Sequence, residues 1–179
     1  MTCIVGLMHE GRVYMGADSA GVSGLDLMVR ADPKVFRNGE FLIGFTTSFR
    51  MGQILRAHLR AIVPPAVDLD RYMEESFVEQ VRLTLKERGY AVVNNNQETG
   101  GEFLVGVRGH LYLMGSDFQV GRSLLPYWAV GCGAQIALGA LYSTFLMPPD
   151  RRLMLALEAA EQFSVGVRRP FIVLEEEHA

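Results

Sequence analysis

The opening stretch MTCIVG places a threonine, Thr2, between the initiator Met1 and Cys3-Ile4-Val5, an apolar run that reads as a buried strand. Methionine before a residue as small as threonine is normally trimmed by methionine aminopeptidase. Trimming would leave a hydroxyl and a free α-amine on the same residue. An α-amine titrates at about 7.7–8.0, against about 10.4 for a lysine, so it is a base near working pH. It can take the proton that a hydroxyl must lose to act as a nucleophile. A fixed cation nearby would lower the proton affinity of both groups, and a carboxylate could hold that cation in place. Lys34 and Asp18 are the candidates, provided that the elements carrying them bring them to the start of the first strand.

Those elements are legible in outline. TCIVGLMH (2–9) and VYMGAD (13–18) read as a hairpin across the turn EGR, so Asp18 ends its second strand beside the start of the first. SAGVSG reads as a loop and 25–37 as extended chain, with Pro33 keeping its predecessor out of helix. Asn38-Gly39 marks a tight turn into EFLIGFT (40–46). The period then changes. SFRMGQILRAHLRAIV (48–63) puts Met51, Ile54, Leu55, Leu59 and Ile62 on one helical face. A second amphipathic helix is expected over 69–89 with Gly89 as its stop, and NNNQETGG as a polar loop. Strands resume over 102–115, turning at Arg108-Gly109, and at 127–131. A strand–turn–helix follows over 132–147, then a helix over 150–166 with Asp150 as N-cap, and a closing strand over 170–177. Blocks of hairpin-linked strands alternating with helix pairs predict an α+β chain in which two antiparallel sheets pack together with helices outside.

Composition narrows the class. A chain of 179 residues with 49% hydrophobic and 21% charged residues suits one domain, 1–179, with a substantial core. The net charge of −3 and the lack of a basic stripe argue against nucleic acid. Apolar runs too short to span a bilayer argue against a membrane. No basic stretch followed by an apolar one opens the chain, so no signal peptide is expected. The two cysteines, Cys3 and Cys132, sit in no paired motif. A reducing, cytoplasmic setting is the expectation. His9, His58, His110 and His178 have no metal-ligand spacing, so neither a metal nor a cofactor is predicted.

TCIVGLMHEGRVYMGADS, Lys34 within DPKVF, FLIGFTTS and AVGCG together resemble the N-terminal threonine hydrolases, nearest to proteasome β-subunits and the bacterial HslV peptidase. The likeness runs along nearly the whole chain, and its most specific part is the trio Thr2, Asp18 and Lys34. It implies a four-layer αββα sandwich (the Ntn-hydrolase fold) and a threonine-type endopeptidase. Thr2 Oγ would attack the peptide carbonyl, its own amine would shuttle the proton, Lys34 would hold positive charge beside it, and Asp18 would pair with Lys34. By position Thr47 would give its N–H to the oxyanion. Cys132 stands where the family has a serine near the amine, with Gly133 beside it. Glu161 and Ser164 in EQFS stand where the family carries an aspartate and a serine. The resemblance also implies a protein or peptide substrate, a homo-oligomeric ring of six or seven copies enclosing the sites, and an ATP-dependent unfoldase as partner.

Taken singly, each residue has a plainer reading. Thr2 can simply start a strand, Asp18 can form a turn, Lys34 can be a surface charge, and Cys3 a small buried hydrophobe. GCGAQI has Ile136 where a dinucleotide loop needs its third glycine. Two other functions share the fold. One is a catalytically inactive shell or assembly subunit that keeps Met1; the other is an amidase acting on small molecules. A specificity pocket is expected between 19–34 and 46–53, with Ala20, Ser48 and Met51 as candidate linings.

Overall fold

The computed structural model describes residues 1–177; His178, read above as one of four scattered histidines in a solvated tail, lies outside them. In chain order the strands and helices are β1 Cys3–His9, β2 Arg12–Ala17, β3 Ala20–Ser23, β4 Asp26–Val29, β5 Val35–Asn38, β6 Phe41–Phe45 and α1 Phe49–His58. Then comes α2, a continuous run of Leu69–Tyr72, a π turn Met73–Phe77 and Val78–Glu87. There follow β7 Val92–Asn94, β8 Gln97–Thr99, β9 Phe103–Val107, β10 His110–Met114, β11 Val120–Arg122, β12 Tyr127–Gly131, α3 Ala134–Ser143, α4 Pro149–Phe163 and β13 Ile172–Glu175.

Two antiparallel sheets carry the molecule, in the orders β12-β1-β2-β13 and β11-β10-β9-β6-β5. The period-2 alternation of β1 shows how they stack. Ile4 points toward the second sheet, into a cluster with Val13, Met15, Leu42, Leu104 and Leu111. Cys3, Val5 and Leu7 point the other way, onto α3 and α4 through Ala137, Leu141, Leu153 and Leu157. On the far side Ile43, Phe45, Phe103 and Val105 of the second sheet meet Met51, Ile54, Phe77 and Val81 of α1 and α2. These three apolar clusters separate four layers in the order αββα, the predicted arrangement. Each fully buried aliphatic or aromatic side chain contributes about 1.5–3 kcal/mol relative to exposure. Gly44 marks how close the sheets approach, since a Cβ there would lie 2.5 Å from Ile4 Cγ2 and 2.6 Å from the Met15 sulfur.

Several local expectations are corrected. Helix α1 stops at His58, so Ile62 is exposed rather than on its apolar face; the Asn38 side-chain amide donates to the Leu55, Arg56 and Leu59 carbonyls at the helix end, and Pro64 and Pro65 bar a later resumption. Asp150 is not the N-cap of α4: Pro148 holds that place with Pro149 at the first helical position, where a missing N–H costs nothing. The polar loop expected at 94–101 is instead mostly a hairpin, β7–β8, turning on Asn95 and Asn96 with φ of 49° and 65°. Segment 20–29 is also a hairpin, β3–β4, outside both sheets. Among the described residues no helix is long and apolar enough to cross a membrane.

Candidate active site

Thr2 immediately precedes β1 and is almost completely buried. Register explains why Asp18 arrives beside it. β1 pairs with β2 so that Ile4 faces Ala17, and Asp18, one residue past the end of β2, gives its N–H to the Cys3 carbonyl at 3.3 Å. Its carboxylate turns inward and accepts four bonds. Oδ1 receives the Cys3 N–H at 2.9 Å and Lys34 Nζ at 2.9 Å, while Oδ2 receives Ala20 N–H at 2.8 Å and Arg168 N–H at 3.3 Å.

Lys34 reaches Asp18 from the chain just before β5, anchored by the bond from Phe45 N–H to its carbonyl at 2.9 Å. Its side chain is 1% exposed and that of Asp18 is 0% exposed. Burial lowers the lysine pKa from its usual value; the Asp18 charge and hydrogen bond oppose that shift. Asp18 takes one of the three ammonium protons, and the other two have no hydrogen-bond acceptor among the described residues. Thr2 and Lys34 line one cavity of about 340 Å³, together with the β3–β4 hairpin, Phe45 and the turn 46–49. The trio read from the sequence therefore converges.

Thr47 stands at φ 64°, the left-handed region that a threonine seldom occupies. The turn is held by its neighbours: Thr46 N–H and Oγ both donate to Glu102 O, Glu102 N–H donates to Thr47 Oγ at 3.2 Å, and Ser48 N–H donates to Thr46 O at 2.7 Å. These bonds leave the N–H of Thr47 itself without an acceptor among the described residues, on the wall of the cavity.

Cys132 and Gly133 follow β12, which lies beside β1. Thr2 N–H donates to Cys132 Sγ at 3.3 Å, Cys132 Sγ–H donates to Thr2 O at 3.4 Å, and Gly133 N–H donates to Thr2 O at 3.3 Å. Ser164 Oγ–H reaches Cys132 Sγ at 3.4 Å. Gly131 makes this crossing possible: it sits at φ 95°, and a Cβ there would lie 2.3 Å from Thr2 O. Replacing Gly131 by alanine is expected to cost at least about 1–3 kcal/mol from backbone strain alone. The clash would also displace Thr2, so a denaturant titration of Gly131→Ala checks both effects through its midpoint.

Glu161 is placed differently from the other supporting residues. Its carboxylate accepts Arg169 N–H at 2.9 Å and Arg169 Nε at 2.8 Å, which holds its pKa below the usual value, and it makes no hydrogen bond to Thr2, Asp18 or Ser164. It steadies the 168–169 backbone that in turn donates to Asp18. Of the expected pocket linings, Ser48 faces the cavity, whereas Ala20 and Met51 are fully buried elsewhere. The sequence does not single out Arg30 and Phe49, although both fall in the segments 19–34 and 46–53 expected to line the pocket. Arg30 lies with its guanidinium carbon 3.7 Å from the centre of the Phe49 ring and is gripped by Asp32 through two bonds of 2.9 and 2.7 Å. Both line the cavity. In this structure the Thr2 nitrogen is an amide, and Oγ–H donates to the Met1 carbonyl. Among the described residues no group of three or more histidine, cysteine or acidic side chains is arranged to hold a metal ion.

No family model matches the sequence, and no curated protein sequence matches it. Solved structures do match. BPH from Thiobacillus denitrificans, in complex with epoxomicin, superposes with a TM-score of 0.81 at 21% identity, over 99% of this chain and 99% of that one. Eukaryotic HslV from Trypanosoma brucei gives 0.70 at 16% identity, over 98% and 99%. Anbu (ancestral β-subunit) from Yersinia bercovieri gives 0.69 at 12% identity, over 97% of this chain and 81% of that one. At such identities the likeness is one of fold. The chain has the Ntn-hydrolase fold, and the structures it matches are of the proteasome-like and HslV kind that the residues resemble.

Proposed function

We propose that the chain is an N-terminal-threonine endopeptidase that acts on unfolded protein once Met1 has been removed. One observation carries this reading. Thr2, just before a buried strand, lines a cavity together with Lys34, whose ammonium spends one proton on Asp18, and Thr47, whose N–H has no acceptor among the described residues. A peptide carbonyl in that cavity would meet a nucleophile, a cation and an oxyanion donor together. The Thr2 hydroxyl proton passes to the α-amine as Oγ bonds to the carbonyl carbon. The negative oxygen so formed is met by Thr47 N–H. Collapse breaks the C–N bond, the α-ammonium gives its proton to the departing amine, and an ester remains on Oγ. Water then attacks that ester with the same amine as base.

A peptidase with so open a cavity would damage a cell if its sites were free. The reading therefore includes a closed homo-oligomer of six or seven copies per ring, fed by an ATP-driven unfoldase. A second reading, an inactive shell subunit, draws on the Met1 carbonyl that holds the Thr2 hydroxyl in this structure. Intact mass separates the two. The purified particle is expected to lack one methionine. Epoxomicin, the compound in the BPH complex, is expected to add its mass to the trimmed chain and not to Thr2→Ala. A particle that keeps Met1 and takes no adduct would be the shell subunit.

A further inference from the structure

Two charged side chains that make no ion pair among the described residues, Arg152 and Asp26, stand beside exposed apolar groups in separate parts of the molecule. The first is Arg152 in the first turns of α4, only 4% exposed. Its Nη2 donates to Leu141 O at the end of α3 at 2.9 Å, and its Nε has no hydrogen-bond partner among the described residues. No carboxylate pairs with it among the described residues. Burial lowers its pKa, the expected direction for a cation without an anion beside it. The guanidinium carbon lies 5.5 Å from the centre of the Tyr127 ring and 5.8 Å from that of Phe145. Those rings, with Leu125, Pro126 and Tyr142, form an open groove of about 440 Å³ at the surface. Tyr142 is 74% exposed and Phe145 63% exposed, so the groove is an uncovered apolar face over a buried positive charge.

The second charge is Asp26. It lies in the tip of the β3–β4 hairpin, whose turn is made by Gly24 at φ 59°. The Asp26 carboxylate is exposed and makes no hydrogen bond or ion pair among the described residues. Leu25 before it is fully solvent-exposed and Leu27 after it is also exposed. Apolar side chains of this size on a projecting turn are a liability unless something covers them.

We propose that the hairpin tip Gly24–Leu27 of one copy seats in the Leu125–Phe145 groove of the next. The match is in charge as well as polarity. The leucines enter an apolar groove, and the free carboxylate is brought over the face behind which the uncompensated guanidinium lies, where a low dielectric strengthens their attraction. The contact is head-to-tail: each copy offers one tip and one groove, so copies close into a ring or run on into a filament. It also reaches the cavity of the candidate site. Asp26 and Leu27 line that cavity, so the neighbour's groove becomes the outer support of its wall. The inference rests on the homo-oligomeric part of the function proposed above and is independent of the hydrolytic part.

The test reads mass in solution by light scattering and native mass spectrometry. The wild type is expected to form a species larger than a dimer. Leu25→Lys and Phe145→Asp each change an exposed side chain, and each alone is expected to give monomers with an unchanged circular dichroism spectrum. Mixed in equal amounts, the intact tip of the Phe145→Asp chain fits the intact groove of the Leu25→Lys chain. A heterodimer and nothing larger is expected. Asp26→Arg is expected to be monomeric, whereas Asp26→Glu assembles. A monomeric wild type, a Leu25→Lys chain of wild-type mass, or a mixture that forms no heterodimer would each overturn the proposal. Thr2→Ala is expected to assemble like the wild type, so a failed peptidase reading leaves this readout unchanged.

Discussion

Replacing Thr2 by alanine is expected to remove peptide hydrolysis almost completely, by about 10⁴-fold or more, because it deletes the attacking oxygen and leaves only the binding and polarising groups. The fold is expected to survive. Thr2 Oγ hydrogen-bonds only to the Met1 carbonyl among the described residues, and the strand is held by the backbone bond from Gly133 and by the β1–β2 and β1–β12 ladders. Thr2→Ser, which keeps hydroxyl and amine, is expected to retain measurable turnover. Fluorogenic peptide cleavage with intact mass on each variant is the check, and full activity in the alanine variant would refute the nucleophile.

The second large effect is expected at Lys34, in activity and stability together. Lys34→Ala removes the ammonium next to the nucleophile, and loss of one such fixed electrostatic group typically costs about 10²–10³ in rate. It also leaves Asp18 as a buried anion without its cation, a change that costs about 3–5 kcal/mol. That is a large share of the 5–15 kcal/mol that a domain typically has. The backbone donors Cys3, Ala20 and Arg168 stay on the carboxylate and place the expectation at the lower end. The double change Lys34→Met with Asp18→Asn buries no charge, so it is expected to recover most of the stability and none of the activity. Equal stability losses in single and double variants would show that the pair is not coupled.

Asp18→Asn alone has a pH signature. Asp18 raises the Lys34 pKa against burial. Without it burial is less opposed, so the lysine gives up its proton at lower pH and activity falls earlier as pH rises. The unfolded chain then binds the extra proton, so stability rises with pH between the folded lysine value and the unfolded one near 10.4. Parallel activity and unfolding titrations would show the two trends moving in opposite directions.

Much of this architecture is legible in the residues. The apolar run of β1, the Asn38-Gly39 turn and the apolar spacing of α1 are enough to mark local structure on their own. The helical period already places Met51 with Ile54 and Leu55, inside α1's contact with the sheet, which is why it does not reach the cavity. The convergence of Lys34 with Thr2 is not a local property. It depends on two sheets stacking, and only likeness to a known family points to it. The β3–β4 hairpin is illegible for another reason: its leucines are exposed, so no alternation marks its strands. Glu161 illustrates the reach of long side chains. Its position in α4 places it near the site, yet the guanidinium of Arg169 captures it, and nothing in the spacing of the two residues decides that competition. Thr47 is readable as a position but not as a geometry, since three hydrogen bonds from outside the turn are what hold a threonine at positive φ.

The depth at which Thr2 sits sets an order of events. Its nitrogen is engaged by the Cys132 sulfur, and the residue is 5% exposed. If Met1 is removed, an aminopeptidase must grip the Met1–Thr2 bond in extended form, and the burial and bonding of Thr2 favour that cut before the strand has docked. Maturation would then be a race between two rates. Chains that collapse before the exopeptidase arrives would be dead-end molecules, and rapid overexpression would enrich them.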